Sequence, residues 1–478
     1  MAENKGRDKT IRLYLSLLIT ILIFAAIIRY ATVYLNKLNV EYYPPNLSLA
    51  KVFTTNMLLQ RDQDIVISGK ARSGKEVEIN FKNHNYKTTS DKNNNWKIHL
   101  DKQAAGGPYE IQVKSDQEKI VLENILFGDQ CLILGESIIN FPLSKTNNFE
   151  QELTAVAKLS NVRYFNAELL PERIKFTELN RDAIWQVAKP ENISHIPAIP
   201  YYFAKRLSQS SNVPIGIIKV AGDYIPLEAL LKSSNSTKTL IEHRYEAPFN
   251  TNLNLNSNQT LQLSIDKITE GDLTLFINEE RIGQIKKTSG IRIFTIPSSL
   301  LKNKYNKIEL SITNVEDPVQ LSRDQLNLAI HLSSGAQSER IIRPGYKWHY
   351  RKQVDIATPG LVFKEMLKPL LEMKFSRILI YQGDSNLDDP SHYQDLLIAW
   401  LNEIQANFKN TKIIFLGLRN INTYNPNQIN ANQIRSIQRR VASNYPKIQF
   451  VETSDLEFKT SAQQLAARCP VKQQELEY

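Results

Sequence analysis

The chain has 478 residues, a length that corresponds to about three domains. Hydrophobic residues make up 42% and charged residues 23%, which excludes a disordered chain, a collagen-like chain and a polytopic membrane protein. The net charge is +10, but no block of basic residues indicates an arm that binds nucleic acid. The two cysteines, Cys131 and Cys469, are too few for a disulfide framework and lack metal-ligand spacing, so we expect no metal and no cofactor.

An almost uncharged segment near the N-terminus predicts a membrane anchor. Residues 13–35 form a run of 23 positions with one charge, Arg29, and a membrane span needs about 20 apolar residues. The basic residues of the tail, 1–12, favour a cytoplasmic N-terminus and place the rest of the chain on the periplasmic or extracellular side. The alternative is a cleaved signal peptide, but no convincing cleavage site follows Ala26. We therefore expect one N-terminal transmembrane helix.

Residues 44–127 alternate apolar and polar side chains with period two, which predicts an N-terminal β-sandwich. Turn-forming clusters such as Ala71–Lys75 and Asp91–Asn95 separate the candidate strands. These strands are expected at 65–68, 76–81, 96–100 and 109–113.

From residue 128 the pattern changes to apolar strands that alternate with amphipathic helical segments. This is typical of an α/β domain with a parallel sheet covered on both faces. The pattern occupies residues 128–244 and 336–470, and period-two segments at 245–335 interrupt it and predict an inserted β-domain. The α/β strands are expected at 131–134, 215–220, 378–381, 413–416 and 448–451. The helices are expected near 148–159, 197–210, 360–373, 392–408, 430–444 and 460–468.

Two strand-end turns carry candidate site residues. Ser137 follows the first α/β strand, and Asn386 lies in the turn after the strand at 378–381. Ligand sites of parallel sheets lie at the carboxyl ends of the strands. A serine at a strand–turn–helix corner presents its hydroxyl as a nucleophile, and an asparagine amide donates to a developing oxyanion. By spacing alone, ordinary turn residues are the alternative.

Several blocks resemble, in order and spacing, the sialate O-acetylesterase family, which are serine esterases of the SGNH-hydrolase class. The resemblance covers nearly all of residues 45–470. The blocks are Leu49–Arg61, Ala104–Tyr109, Ile125–Asp129, Val213–Val220, Pro226–Ala229 and Tyr381–Asn386, the last matching Tyr-Gln-Gly-Glu-Ser-Asn in the family.

The resemblance implies a fold and an activity. The fold is an SGNH-hydrolase (flavodoxin-like) α/β domain, a three-layer arrangement around a parallel sheet, and the substrates are acetyl esters on sialic acid or another surface sugar. Ser137 is implied as the nucleophile. Gly222, Gln382 and Asn386 are implied as oxyanion or substrate-binding residues.

The nucleophile block and the oxyanion loop depart from the family pattern. The family's Gly-Gln-Ser-Asn-Met is Gly135-Glu-Ser-Ile-Ile139 here, which adds a charge at Glu136 beside Ser137. Where the family loop has glycines this chain has Asp223 and Tyr224, so Gly222 serves only if the loop shifts by one residue.

The catalytic histidine is also missing. The family's closing Asp aligns with Asp455, its His aligns with Phe458 or Lys459, and no histidine follows His392 in the chain. We expect His392, at a helix start six residues beyond Asn386, to be the best-placed substitute base, with His195 as a second candidate. Asp455 remains as the candidate orienting acid. An alternative that takes Gly383-Asp-Ser385 as the nucleophile block has no Asp-x-x-His downstream.

Two functions of different classes remain. The first is a membrane-anchored O-acetylesterase-like protein that removes acetyl esters from surface sugars with impaired activity. The second is a catalytically inactive SGNH-fold protein that binds an acetylated glycan or serves in envelope polysaccharide assembly. Both have a carbohydrate partner and contact the membrane through the N-terminal helix. Neither involves nucleic acid, and the sequence indicates no protein partner.

We predict that residues 1–35 remain on the mature protein and hold it in the membrane fraction, because the apolar run is long enough to span the bilayer. Mass spectrometry of the detergent-extracted protein should find its N-terminal peptide, and alkaline carbonate should not release it. A chain lacking residues 1–35 is the soluble control. A soluble mature protein that starts beyond residue 25 would contradict the prediction.

Overall fold

A computed structural model of the protein describes residues 47–167, 183–222, 225–232, 241–252, 259–265, 272–286, 290–302, 304–313, 328–334, 337–342, 348–354, 357–387, 390–420, 428–456 and 461–470. The tail 1–12 and the predicted anchor 13–35 lie outside these residues. Within the described ranges, no helix is long and apolar enough to cross a membrane.

The N-terminal segment forms antiparallel strands in two sheets. Its strands are β1 (Leu47–Leu49), β2 (Leu58–Gln60), β3 (Ile65–Ala71), β4 (Glu76–Phe81), β5 (His84–Thr89), β6 (Asn95–Leu100), β7 (Gly106–Ser115) and β8 (Glu118–Gly135). β4 and β6 bury every second side chain, as their period-two sequences predict. One sheet has the order β1-β3-β6, and the other contains β4, β5, β7 and β8 with the short parallel strand β2.

The first part of the α/β unit follows β8. Its elements are α1 (Phe149–Ala155), β9 (Val162–Ala167), β10 (Trp185–Val187), α2 (Ala198–Ser211), β11 (Ile215–Ala221) and α3 (Leu227–Leu230). Every residue of β11 is buried, which is the pattern of a parallel strand covered on both faces.

Nine strands then form a pair of antiparallel sheets with their own core. They are β12 (Ile241–Phe249), β13 (Gln259–Ile265), β14 (Asp272–Ile277), β15 (Glu280–Lys286), β16 (Gly290–Ile296), β17 (Asn306–Thr313), β18 (Leu328–Ser334), β19 (Gln337–Ile342) and β20 (His349–Val354). The sheet orders are β15-β14-β17-β12-β20 and β16-β13-β18-β19. The strands extend past the predicted 245–335 because the polar edge strand β20 lacks a period-two apolar pattern.

The α/β unit resumes after this pair of sheets. Its elements are β21 (Arg377–Tyr381), α4 (Tyr393–Asn407), β22 (Lys412–Leu416), α5 (Gln428–Ala442), β23 (Ile448–Val451) and α6 (Ser461–Arg468). The five strands expected from the apolar runs are confirmed. The helix expected at 360–373 is instead a π-helical segment, Phe363–Leu367, followed by a 3-10 turn. Pro369 has no backbone N–H to continue an α-helix there.

The parallel sheet has the strand order expected of a flavodoxin-like fold. β11, β8, β21, β22 and β23 are neighbours in that order and are all parallel, which is 2-1-3-4-5 in chain order. β9 extends the sheet beside β11, and antiparallel β10 forms its edge, so the sheet is mixed. Because connections between parallel strands are right-handed as a rule, a strand order that reverses at β8 is expected to place helices on both faces of the sheet.

Strand β8 belongs to both the sandwich and the parallel sheet. Its first half pairs with β7, and its second half lies between β11 and β21. All side chains from Ile125 to Leu134 are buried, so one hydrophobic core is continuous across the predicted boundary at residue 128. The strands β12–β20 enclose a second core, from Tyr245 to Trp348.

We predict that residues 242–353 can be replaced by a short Gly-Ser linker without unfolding the rest of the chain. Ile241 and Val354 are paired across neighbouring antiparallel strands, so their Cα atoms are about 5 Å apart. The two cores share no residue. The shortened protein should keep a cooperative thermal transition by near-UV circular dichroism. Aggregation, or loss of that transition, would show that β12–β20 are needed for the central sheet.

Candidate active site

The two candidate turns meet at the centre of the parallel sheet. Gly135, at the end of β8, is paired with Ala221 of β11 on one side and with Tyr381 of β21 on the other. This is where the strand order reverses, and such points form ligand crevices in open α/β sheets. The backbone of Ser137 begins a 3-10 helix after β8, and Asn386 ends another after β21.

The carboxyl group of Glu136 joins these turns. Its Oε1 accepts a hydrogen bond of 2.8 Å from the backbone N–H of Gly383. Its Oε2 accepts from the Ser385 N–H at 2.8 Å and from the Ser385 hydroxyl at 2.7 Å. Glu136 is fully buried, so the carboxyl group that the sequence placed beside Ser137 is directed into the turn after β21. It caps the orphan N–H groups at the start of that 3-10 helix.

Burial and a second carboxylate raise the pKa of Glu136 to about 8, despite the hydrogen bonds that it accepts. The second carboxylate is that of Asp384, which is also buried and accepts a hydrogen bond of 3.1 Å from the Tyr381 hydroxyl. Two neighbouring carboxylates in a buried site disfavour double ionisation. Burial lowers the pKa of the nearby Arg419, but Asp384, Tyr381 and Glu280 together raise it above its usual value.

The Asn386 side chain connects a third block of the sequence to the turn. Its Oδ1 accepts hydrogen bonds from Gln382 Nε2 at 2.7 Å and from the Leu227 N–H at 3.3 Å. Its Nδ2 donates to Glu228 Oε2 at 3.2 Å. A primary amide carries two hydrogens, and among the described residues only Glu228 is an acceptor for the Asn386 amide. Two of the implied binding residues, Gln382 and Asn386, are therefore adjacent and oriented by each other.

A buried glutamine holds the turn after β21 through hydrogen bonds. Gln438 of α5 is fully buried, and its Nε2 donates to the Gln382 carbonyl at 2.7 Å and to the Tyr393 hydroxyl at 2.9 Å. Its Oε1 accepts from the Leu418 N–H at 2.8 Å. Gly383 has φ of +133°, and a Cβ there would lie 3.0 Å from Gln438 Nε2, so the turn requires glycine.

The roles of Gln438 and Glu228 were not predicted from the sequence. The signal for Gln438 is its place on the apolar face of α5, in line with the buried residues Ala431 and Ile434. A polar side chain at such a position needs a buried partner.

The Gly222 N–H is engaged in the structure. It donates to the Gly135 carbonyl at 3.3 Å and so continues the ladder between β11 and β8. An oxyanion role for Gly222 requires this hydrogen bond to open, and it stays a prediction. The adjacent Asp223 and Tyr224 lie outside the described residues.

The candidate base and its candidate orienting acid both lie at the surface. His392 is exposed and precedes α4 as its N-cap residue. His195 is exposed as well, at the end of a 3-10 helix. Asp455 forms two hydrogen bonds of 2.6 Å with Arg468 of α6, and they lower the pKa of its carboxyl group to about 2. Its carboxylate therefore ties α6 to the end of β23.

The positions aligned with the family's histidine, Phe458 and Lys459, lie outside the described residues. The roles of His392 and Asp455 in chemistry stay predictions.

We predict that Glu136→Gln removes much of the pH dependence of stability. The folded protein keeps the Glu136 proton to about pH 8, whereas the unfolded chain releases it near pH 4.5, so the free energy of unfolding falls as pH rises through this window. The glutamine has no charge to desolvate. Between pH 5 and pH 9 the free energy of unfolding of Glu136→Gln should therefore rise, relative to that of wild type, by on the order of 3 kcal/mol.

Thermal unfolding midpoints measured across this pH range check the prediction. Glu150→Gln, at an exposed position of α1, is the matched control and should follow wild type. Parallel curves for wild type and Glu136→Gln would show that the Glu136 carboxyl group is ionised throughout.

Comparisons with known proteins support part of what the sequence blocks predict. No family model matches the chain. Human sialate O-acetylesterase is 26% identical over 197 residues, which cover 38% of this chain and 38% of the human protein. The mouse sialate O-acetylesterase is 28% identical over 153 residues, covering 29% of this chain and 28% of the mouse protein. The chain thus matches well under half the length of either relative.

Among solved structures, a carbohydrate acetylesterase from Xanthomonas citri superposes with a TM-score of 0.57 at 18% identity. The superposition covers 88% of this chain and 72% of that protein. At this identity the likeness concerns the fold. The sequence matches show that the chain is related to the sialate O-acetylesterases, and the superposition shows that its mixed α/β sheet has the fold of the Xanthomonas citri protein.

Proposed function

We propose that the protein is a carbohydrate O-acetylesterase of the sialate type, with impaired activity, that removes acetyl groups from surface sugars. The observation that carries this is the set of hydrogen bonds joining Glu136, the 383–386 turn and Glu228 at the centre of the sheet. These contacts hold Asn386 with an amide N–H available to a ligand. An oriented amide donor of this kind stabilises an oxyanion, and losing such a donor costs about 3–4 kcal/mol in catalysis.

In the proposed reaction Ser137 attacks the carbonyl carbon of the acetyl ester. The tetrahedral oxyanion accepts hydrogen bonds from the Asn386 amide and from the Ser137 backbone N–H. The sugar oxygen leaves with a proton, and an acetyl group remains on Ser137. Water then hydrolyses this ester to acetate and restores the serine hydroxyl. In the first step His392 is the proposed acceptor of the serine proton, which it passes to the leaving sugar oxygen. In the second step it accepts a proton from water and returns it to the serine oxygen.

The proton transfer is the weak part of this site. A serine hydroxyl needs a base to become nucleophilic, and a positioned base contributes about 10²- to 10⁴-fold to the rate. His392 is exposed, and the carboxylate of Asp455 is occupied by Arg468. Neither an orienting acid nor a buried environment supports the imidazole. We therefore place the activity well below that of a complete triad.

The second proposal is a catalytically inactive protein that binds an acetylated glycan in the same crevice or serves in envelope polysaccharide assembly. The Asp455–Arg468 pair favours it, because an acid that orients no histidine has become a structural residue. An intact Asn386 donor is equally useful for binding the carbonyl group of an acetylated sugar without cleaving it.

We also propose that the protein acts outside the cytoplasm, as a single-pass membrane protein held by residues 13–35. The support is the apolar run and the basic tail before it. Surface sugars are the substrates that this placement would bring within reach.

We predict slow hydrolysis of 4-nitrophenyl acetate that depends on Ser137 and His392. Ser137→Ala should abolish turnover, and His392→Ala should lower kcat by about 10²-fold, because it removes the proposed base. His84→Ala, an exposed histidine on the sandwich strand β5, is the matched control and should leave the rate unchanged. Lys459→His, which restores the residue of the family pattern, should raise kcat.

The outcomes separate the two proposals. A background rate that is the same in wild type and Ser137→Ala would exclude the esterase and favour the binding protein. Turnover that Ser137→Ala abolishes and His392→Ala leaves intact would mean that another group takes the proton.

A further inference from the structure

A second cleft lies at the end of the parallel sheet opposite the candidate active site. It has a volume of about 480 Å³ and lies between the start of β9, the strand β10, the loop at Asn56 and strand β8 at Asn124. Volumes of about 300–1,000 Å³ are typical of small-molecule sites. The contact between sheet and sandwich is held by Trp185, whose Nε1 donates to the Val52 carbonyl at 2.8 Å and whose N–H donates to Thr54 Oγ1 at 3.1 Å.

The cleft is lined by a buried cation that has no acidic partner among the described residues. Arg163 is 4% exposed. Its guanidinium donates to Asn124 Oδ1 at 3.3 Å and to the Ser160 carbonyl, and its Nε has no partner. Burial lowers the pKa of the guanidinium to about 10, so the group keeps its charge at neutral pH. A buried charge without a counter-ion costs free energy that an anionic ligand would offset.

The rest of the lining suits an acidic sugar. The lining residues that the structure describes include no acidic side chain, and Lys189 adds a second positive charge. The Asn56 Oδ1 accepts from Asn124 Nδ2 at 2.7 Å, which leaves the Asn56 amide hydrogens for a ligand. Gln186 is exposed beside them, and the 54%-exposed Ile184 offers an apolar surface for the C–H face of a sugar ring.

We propose that this cleft is an accessory site for a carboxylate-bearing sugar unit, with Arg163 and Lys189 binding the carboxylate and Asn56 and Gln186 the hydroxyl groups. Arginine pairs with carboxylates through two parallel N–H groups, whereas side-chain amides recognise hydroxyl groups. The six residues of β9 separate the cleft from the reactive edge by roughly 20 Å. A polysaccharide of several units would therefore reach both. The proposal does not depend on esterase activity.

Titration of the detergent-solubilised full chain with D-glucuronate and D-glucose tests the proposal, because these sugars differ only in the carboxylate. We expect saturable, millimolar binding of glucuronate by calorimetry and at least ten-fold weaker binding of glucose. Sodium acetate and inorganic phosphate distinguish a sugar site from a simple anion site. Equal affinity for acetate and glucuronate, or for glucose and glucuronate, would overturn the proposal.

Substitutions of cleft residues provide a second test of the proposal. Arg163→Gln should weaken glucuronate binding at least ten-fold, and Lys189→Gln, an exposed change that leaves the buried contacts intact, several-fold. Lys92→Gln, on an exposed turn of the sandwich, is the matched control. Ser137→Ala should bind glucuronate like wild type, so a failure of the esterase proposal leaves this result interpretable. Unchanged binding in Lys189→Gln and Arg163→Gln would place the ligand elsewhere and refute the site.

Discussion

Strand β8 carries the chain from the sandwich into the centre of the parallel sheet, and the buried carboxyl group of Glu136 follows directly at its end. The strand is hydrogen-bonded on both sides over its second half, so its end is held in register with β11 and β21. Glu136 then accepts three hydrogen bonds from a turn that lies 247 residues later in the chain. The position of Asn386, and hence the chemistry of the crevice, depends on this carboxyl group. A buried acceptor of this kind is costly to remove, because three donors would lose their partner.

In the proposed site the amide donors are connected by hydrogen bonds, whereas the candidate orienting acid binds elsewhere. Gln382, Asn386 and Glu228 form a connected set of amide and carboxylate groups, supported by Gln438 beneath them. Connected buried networks of this kind hold a single geometry when every member is satisfied. The carboxylate of Asp455, in contrast, stabilises a surface helix through Arg468. This division explains why the fold and the amide donors resemble those of an esterase, whereas the groups proposed for proton transfer do not.

Two arginine side chains lie at opposite ends of the parallel sheet. Arg419, after β22, interacts with Asp384 and with Glu280 of β15, so the nine-stranded unit lies close to the reactive edge. Arg163, at the start of β9, has only neutral oxygen partners. The first cation has acidic groups near it within the protein, whereas for the second we propose an anion that enters the cleft.

The sequence by itself determined the five central strands of the parallel sheet, most helices and the order of the site blocks. Apolar runs such as those of β11 and β21 identify parallel strands, because a strand covered on both faces has no polar positions. The rule that ligands bind at carboxyl ends of strands then brought Ser137 and Asn386 to one edge, and the family resemblance added Gln382.

Only the tertiary structure decided the directions of the polar side chains. The sequence places Glu136 next to Ser137, but its carboxyl group is directed to Gly383 and Ser385 because their N–H groups need an acceptor. Asp455 binds Arg468, and Arg163 lacks an acid, for reasons that depend on residues far away in the chain. The local sequence period indicates which face of an element is buried. The hydrogen-bond partners of a side chain and the charges near it depend on elements that meet only in the folded protein.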